Sequence, residues 1–334
     1  MFPKLGKSLR LASYVIPSKR SAEGPRIEEY EKAFARSTGS KYALSFWKGR
    51  LGFFAALKAL GVEAGDEVVA PGYTCMVISA AIKILGADPV YVDIEPAYCT
   101  LDPDKLEDAL TPRSKVLMIQ HTYGWPSASL ERVLDIARER RIAVVEDCCH
   151  ALGTRHRGTH VGNFGVAGFF YSQWSKPYTT GLGGMLVCND DAFYERARRI
   201  RDEQAYKPGP RKAAQLAAQA IVHDVLVYPR TAAIARNAYR WLGKRSLITG
   251  STSKSEYTDV PKDYFMSMSQ AQAAAGLYEL QRVEESNRRR RQIARYYVER
   301  LHEIGWPVPR WPRGAEVTLL RFPVRVRNKA AALD

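Results

Sequence analysis

Residues 144–153 read VVEDCCHALG, a short apolar run that ends in two acids, two cysteines and a histidine. Such a run is the pattern of a buried strand, and in a parallel sheet the carboxyl ends of the strands open onto the ligand crevice. Asp147 is therefore placed where a ligand would bind. Asp is also a good helix N-cap, so a structural reading stands beside the chemical one. Working outward, similar runs occur at Glu67 to Pro71, Pro89 to Asp93, Val116 to His121, Ile142 to Asp147, Gly168 to Ser172 and Met185 to Cys188. Helical patterns fall between them at Leu51 to Leu60, Val77 to Leu85 and Leu130 to Arg140. Gly61 and Gly86 follow the first two, as expected of the residue just past a helix. Alternating strands and helices predict βαβ units, hence an α/β fold with a mainly parallel sheet from about Lys41 to Cys188.

After about Asp202 the pattern changes. KPGPRK is followed by an Ala-rich stretch broken near Pro229, then by the polar SLITGSTSKSEYTD. From Ser267 to Ile304 a long helix is predicted, with Ala271, Ala274, Leu277, Leu280, Val283, Ala294 and Tyr297 on one stripe. The closing VTLLRFPVRV (317–326) reads as a strand. The expected organisation is an N-terminal arm and first helix (1–38), a large α/β domain (39–204), a helical insertion (205–259), and a long helix opening a smaller C-terminal domain (260–334). A strand so near the end suggests that this last domain is truncated.

With 334 residues, 46% apolar and 25% charged, the chain has the composition of a folded protein, which excludes disordered, collagenous and disulfide-scaffold classes. Its net charge of +15 favours an anionic partner, whether nucleic acid, anionic lipid or phosphorylated metabolite. The basic runs Arg138 to Arg141 and Arg288 to Arg291 lie on predicted helices without a stacking platform or a DNA-binding motif, which argues against nucleic acid. Cys75, Cys99, Cys148, Cys149 and Cys188 show no C-x-x-C spacing and no clustered His. Neither a disulfide framework nor a metal site is expected, and a reducing cytosol is the expected compartment. The basic N-terminus has no secretory apolar region, and no stretch is long and apolar enough for a membrane-spanning helix.

A second strand end carries chemistry. In FFYSQWSKPYTTGLGGML (169–186) a strand runs into Lys176 and a turn whose Gly181, Gly183 and Gly184 allow close backbone approach. A lone Lys after a strand is most often a solvated charge. Paired with Asp147 at the end of another strand, it meets the demands of pyridoxal phosphate. That cofactor needs a lysine to hold it covalently and a carboxylate on the pyridine nitrogen to keep the ring protonated. The third need is a phosphate seat, and Gly49 and Arg50 stand where a helix begins, with free N–H groups and a helix dipole. His121, at a further strand end, reads equally as a pocket-lining or a packing residue.

Together with ALGVEAGDEVVAPGYTCMV, AIKILGADPVYVDIEPAYCTLDPDKLEDALTPRSKVLMIQHTYGWP, VVEDCCHALGTRHRGTHVGNFG and SQAQAAAGLYEL, these features resemble the DegT/DnrJ/StrS family of sugar aminotransferases. The resemblance runs from about Gly39 to the end. It implies a fold-type-I pyridoxal-phosphate transferase, with a large α/β domain and a smaller α+β domain, working as a homodimer. It further implies a transfer of the amino group of an amino acid, glutamate by analogy, to a keto-sugar, most often nucleotide-linked. Lys176 and Asp147 would be the catalytic pair, and His150 would lie against the cofactor's phenolic oxygen. Gly49 and Arg50 would sit at the phosphate, where the family's Ser-Gly-Thr is Lys-Gly-Arg.

The sequence departs from the family pattern at several places. An aromatic residue that stacks on the cofactor is replaced by Cys75, leaving Tyr73 as the stacking candidate. The Ser that contacts phosphate is Tyr171, leaving Ser172 or Ser175 as substitutes. The Asn-Tyr-Arg that reaches a neighbouring subunit is Phe265, Met266 and Ser267. Residues 205–259 read as an insertion, either a lid near the dimer interface or an element contacting a membrane surface or lipid substrate. Two rival readings therefore remain: a sugar dehydratase-like enzyme, which retention of Lys176 argues against, and a regulatory or membrane-associated binding module on the same fold.

Overall fold

In the computed structural model, the described residues are 25–176, 178–209, 260, 264–308, 311–332 and scattered positions between 211 and 241. The expected N-terminal arm before residue 25 and most of the expected insertion lie outside them.

Seven strands form one sheet: β1 (Tyr42–Phe46), β2 (Glu67–Pro71), β3 (Asp88–Val92), β6 (Ser114–Gln120), β7 (Ala143–Asp147), β10 (Ala167–Tyr171) and β11 (Gly184–Cys188), in the order β1-β11-β10-β7-β6-β2-β3. Pairing from β10 through β3 is parallel, whereas β11 runs antiparallel to both neighbours, so β1 has the same sense as the parallel set. Two-residue ribbons pair β4 (Ile94–Glu95) with β5 (Thr100–Leu101), β8 (Arg155–His156) with β9 (Thr159–His160), and β8 with β12 (Ala315–Glu316).

Strand alternation sorts the core into two layers. Val116 and Met118 of β6, Val68 and Ala70 of β2, and Leu186 of β11 pack on one side against α2 (Gly49–Ala59), α3 (Met76–Ile84) and Phe193 of α6 (Asp191–Gln204). On the other side, Leu117, Ile119 and Val69 meet Leu106 of α4 (Pro103–Ala109) and Leu130, Val133 and Ile136 of α5 (Leu130–Glu139). Farther along that side, Phe170, Met185 and Val187 meet Tyr30 and Phe34 of α1 (Arg26–Thr38) and Ala273 of α7 (Gln270–Glu303). The helix α7 starts at a capping box in which Ser269 and Gln272 satisfy one another's backbone N–H groups. Gly276 lets it close on α1, because a Cβ there would stand 2.4 Å from the Tyr30 ring. Tyr297, expected on the buried stripe of α7, is instead exposed.

The expected strand at 317–326 is not one. Only Ala315–Glu316 pairs, and the residues that follow have no strand partner among the described residues and bend at Leu320 and Arg321. Their polar atoms go elsewhere: Thr318 N–H donates to Thr154 Oγ1 and Leu320 N–H to the Tyr123 carbonyl. The apolar alternation that predicted a strand is real, since Val317 and Leu319 are buried with Trp125 and Ala294.

Candidate active site

The carboxyl ends of β1, β2, β6, β7 and β10 lie along one edge of the sheet and surround a cavity of about 420 Å³. Its lining includes Arg50, Tyr73, Thr74, Cys75, Gln120, His121, Tyr123, Asp147, His150, Tyr171, Lys176 and Arg321. Asp147 at the end of β7 and Lys176, which lies not at a strand end as expected but in a turn after β10 has stopped at Tyr171, thus face the same space.

Asp147 ends β7 and is 8% exposed. No helix follows it, so the capping alternative falls away; Oδ1 accepts the Cys149 N–H at 2.9 Å in a local turn. Burial raises the carboxyl above its ordinary range, partly offset by the Cys149 N–H and the nearby Lys176 and His121. Glu146, one residue earlier, points to the opposite face and is fully buried. Its Oε2 accepts His121 Nε2–H at 2.9 Å and the Gly162 N–H at 2.7 Å, and its Oε1 accepts the N–H groups of Phe164 at 2.7 Å and Gly165 at 2.8 Å. Burial pushes this carboxyl up, but the His121 ring and the backbone donors outweigh it and hold the group below its ordinary range.

Cys148 Sγ lies within 4.8 Å of donor atoms of His121 and Glu146, a juxtaposition the spacing of the cysteines and histidines did not indicate. Both Glu146 oxygens are taken by protein donors, and burial holds the Cys148 thiol protonated, well above its ordinary value. The group reads as a clamp joining β6, β7 and the loop at 162–165. His121 is both packed and pocket-lining, its Nδ1 accepting the Ser127 N–H at 3.3 Å.

His150 accepts the Tyr123 N–H at Nδ1, 3.2 Å away, and its ring stacks on Tyr123 with 16° between planes. Burial, aided by the cations Lys176 and Arg321, pulls the imidazole down to about 3. The ring is therefore neutral, and with Nδ1 accepting, its proton sits on Nε2. Tyr123 has the left-handed backbone φ 58, ψ −3, and its hydroxyl meets that of Tyr73 at 2.5 Å. Gln120 ties the wall together, accepting from Thr74 Oγ1 at 2.6 Å and donating to the Tyr73 carbonyl at 3.1 Å.

At the opposite end α2 begins with Gly49 and Arg50, and Arg50 is buried in the lining. A Cβ on Gly49 would stand 2.9 Å from Tyr171 Cβ, and one on Gly184 2.5 Å from the Lys48 carbonyl carbon. These glycines let the helix start press against β10 and β11. Lys48, at the N-cap, is buried but does not line the cavity.

Lys176 Nζ stands 5.9 Å from the centre of the Tyr171 ring. Ser172 and Ser175, expected as substitutes at the phosphate, do not line the cavity. Along β10 and its extension Phe169, Tyr171 and Gln173 face it, so Ser172 faces away by alternation and bonds Thr180 Oγ1 at 2.7 Å. Ser175 is exposed and accepts from Gln173 Nε2. Tyr73 and Cys75 both line the cavity. Phe265 and Met266 fold inward on the core beside Phe54. Gln120, Tyr123 and Arg321 were missed from the sequence, although Gln120 lies within the predicted run Val116 to His121 and ends the observed strand.

The donor set suits pyridoxal phosphate. A buried carboxylate that among the described residues accepts one backbone N–H, from Cys149, fits a protonated pyridine nitrogen. The start of α2, with Arg50 in the lining and Gly49, which does not itself line the cavity, letting the helix start close on β10, fits a phosphate.

GDP-perosamine synthase of Caulobacter vibrioides is 37% identical over 183 residues, covering 55% of this chain and 49% of that protein. The spore coat polysaccharide biosynthesis protein SpsC of Bacillus subtilis is 31% identical over 304 residues, covering 90% of this chain and 68% of that protein. A solved sugar aminotransferase of Micromonospora echinospora superposes with a TM-score of 0.74 at 25% identity, covering 99% of this chain and 82% of that one. The chain spans about half the length of the first curated relatives it matches. Residues 7–334 match the DegT/DnrJ/EryC1/StrS aminotransferase family, and the chain belongs to that family.

Proposed function

We propose that this site transfers the amino group of an amino acid, with glutamate as donor, to a keto group on a sugar, most simply a nucleotide-linked one, in amino-sugar or polysaccharide biosynthesis. The observation that carries the reading is the convergence of Asp147 and Lys176 on one cavity. Aminotransferases of this family depend on pyridoxal phosphate, which when bound supplies an electron sink for the substrate carbon.

Each residue then has a task. Asp147 gives its buried charge to the pyridine nitrogen, and burial makes that charge costly until the nitrogen neutralises it. Lys176 holds the cofactor and carries protons at Nζ. The neutral His150 offers Nε2–H as a donor beside the ring, and Tyr73 supplies an aromatic face. Gly49 and Arg50 seat the phosphate. A nucleotide diphosphate suits the positive charge of the chain. The working form is read as a homodimer in the cytoplasm.

The test is the visible spectrum of the purified protein given pyridoxal phosphate, before and after borohydride, with Lys176→Ala beside it and peptide mapping of the product. The reading expects a band that glutamate bleaches and a reduced adduct on Lys176. A folded protein that gives no band sinks it.

A further inference from the structure

We propose that Arg321 recognises the anionic oxygens of a substrate, either a carboxylate or a phosphate, at the mouth of the cavity. This rests on the cofactor reading above and deepens it. The segment carrying Arg321 is a strap fastened over the site. Thr318 N–H donates to Thr154 Oγ1 at 3.1 Å, and Thr318 Oγ1–H to the Gly153 carbonyl at 3.1 Å. Arg291 Nη1 donates to Thr318 Oγ1 at 3.1 Å, and Leu320 N–H to the Tyr123 carbonyl at 2.8 Å. Gly124 is required where the strap crosses, since a Cβ there would lie 2.2 Å from the Thr318 carbonyl oxygen.

The strap delivers Arg321 to the lining shared with Tyr123 and His150. Tyr123 holds a left-handed backbone that a bulky residue adopts only under strain. Its surroundings explain why it persists: its carbonyl takes the strap, its N–H takes His150, and its hydroxyl takes Tyr73. The strained residue therefore fixes the spacing between the strap and the cofactor wall.

Among the described residues Asp147 is the one acid lining the cavity, against the cations Arg50, Lys176 and Arg321. Bound pyridoxal phosphate would engage Asp147, Lys176 and the helix start at Arg50. Arg321 is exposed and makes no hydrogen bond or ion pair with any described residue. His150 beside it is neutral and so offers an incoming anion no positive charge of its own. A guanidinium held by a fastened segment and facing a cavity is suited to bidentate recognition of carboxylate or phosphate.

The experiment titrates the full-length protein, reconstituted with pyridoxal phosphate, with L-glutamate and separately with inorganic pyrophosphate by calorimetry. Wild type is compared with Arg321→Gln, Arg321→Lys and, as a control on the same segment outside the cavity, Arg325→Gln. Loss of a charge-assisted bidentate contact predicts that Arg321→Gln weakens one titrant at least about tenfold, that Arg321→Lys recovers part of it, and that Arg325→Gln matches wild type. A weakened glutamate titration assigns the site to the donor carboxylate, and a weakened pyrophosphate titration assigns it to the acceptor phosphate. If Arg321→Gln leaves both titrations within about twofold of wild type, or wild type binds neither anion, the proposal is overturned. Should wild type show no cofactor band while Arg321→Gln still weakens pyrophosphate, the aminotransferase reading fails and the anion site stands.

Discussion

Glu146 and Asp147 are neighbours on one strand, both buried, and they meet opposite fates. Glu146 faces the loop at 162–165 and accepts four hydrogen bonds, so its charge is fully solvated by protein. Asp147 faces the cavity and accepts the N–H of Cys149. Burial wins at Asp147 and raises its carboxyl; donors win at Glu146 and lower it. The pair teaches how to tell a structural acid from a chemical one. A carboxylate whose lone pairs are all taken holds the fold together, whereas one left short of donors in a cavity is poised for a ligand.

The comparison can be broken from the cavity side first. Lys176→Ala, measured as the rate at which glutamate bleaches the cofactor band, is expected to lose at least about a thousandfold, because both the covalent anchor and the proton carrier go. Glu146→Gln should act on the other side of the strand. It turns an acceptor into a donor facing backbone N–H groups, and chemical denaturation is expected to show a loss of about 3 kcal/mol. If that variant instead keeps wild-type stability and loses only bleaching, the two acids are not divided as described.

Asp147→Asn sharpens the contrast. Its bleaching rate should fall about a hundredfold while the fold persists, since a preorganised charge is removed from the cofactor but no structural bond network is broken. The smallest effect is in the pH dependence of the cofactor-free protein. A raised folded pKa means that the ionised Asp147 costs stability at neutral pH, a cost relieved as pH falls through that pKa. Cofactor-free Asp147→Asn should therefore be about 1 kcal/mol more stable than wild type at neutral pH, with the difference closing on acidification. Glu146 has the opposite sign: its contribution is present above its unfolded pKa and lost as pH falls through the lower folded one. Glu146→Gln should lose its disadvantage in acid, read from melts across the acid range.

Much of the sheet was legible because parallel strands buried on both faces are short apolar runs, as at Val116 to Gln120 and Val144 to Asp147. The strand β1 was passed over because its run, Tyr42 to Phe46, is interrupted by Ser45, whose hydroxyl bonds Glu31 of the neighbouring α1. The segment at 317–326 has strand-like alternation, yet a strand also needs a partner with free backbone groups. Here the partners were Thr154 and Tyr123, which no local pattern reveals.

By itself the sequence determined the α/β class, the strand end that carries Asp147, the Lys176 that follows another strand, and the glycine turns, because side-chain periodicity and backbone permissiveness are local properties. Tertiary structure alone decided that Ser172 faces away from the cavity, that Glu146 is saturated while Asp147 is not, and that Arg321 arrives at the site from a segment far along the chain. Those outcomes depend on which donors from distant segments reach a given atom, and on the field they set there. Both are sums over three-dimensional neighbours that adjacency in the chain does not encode.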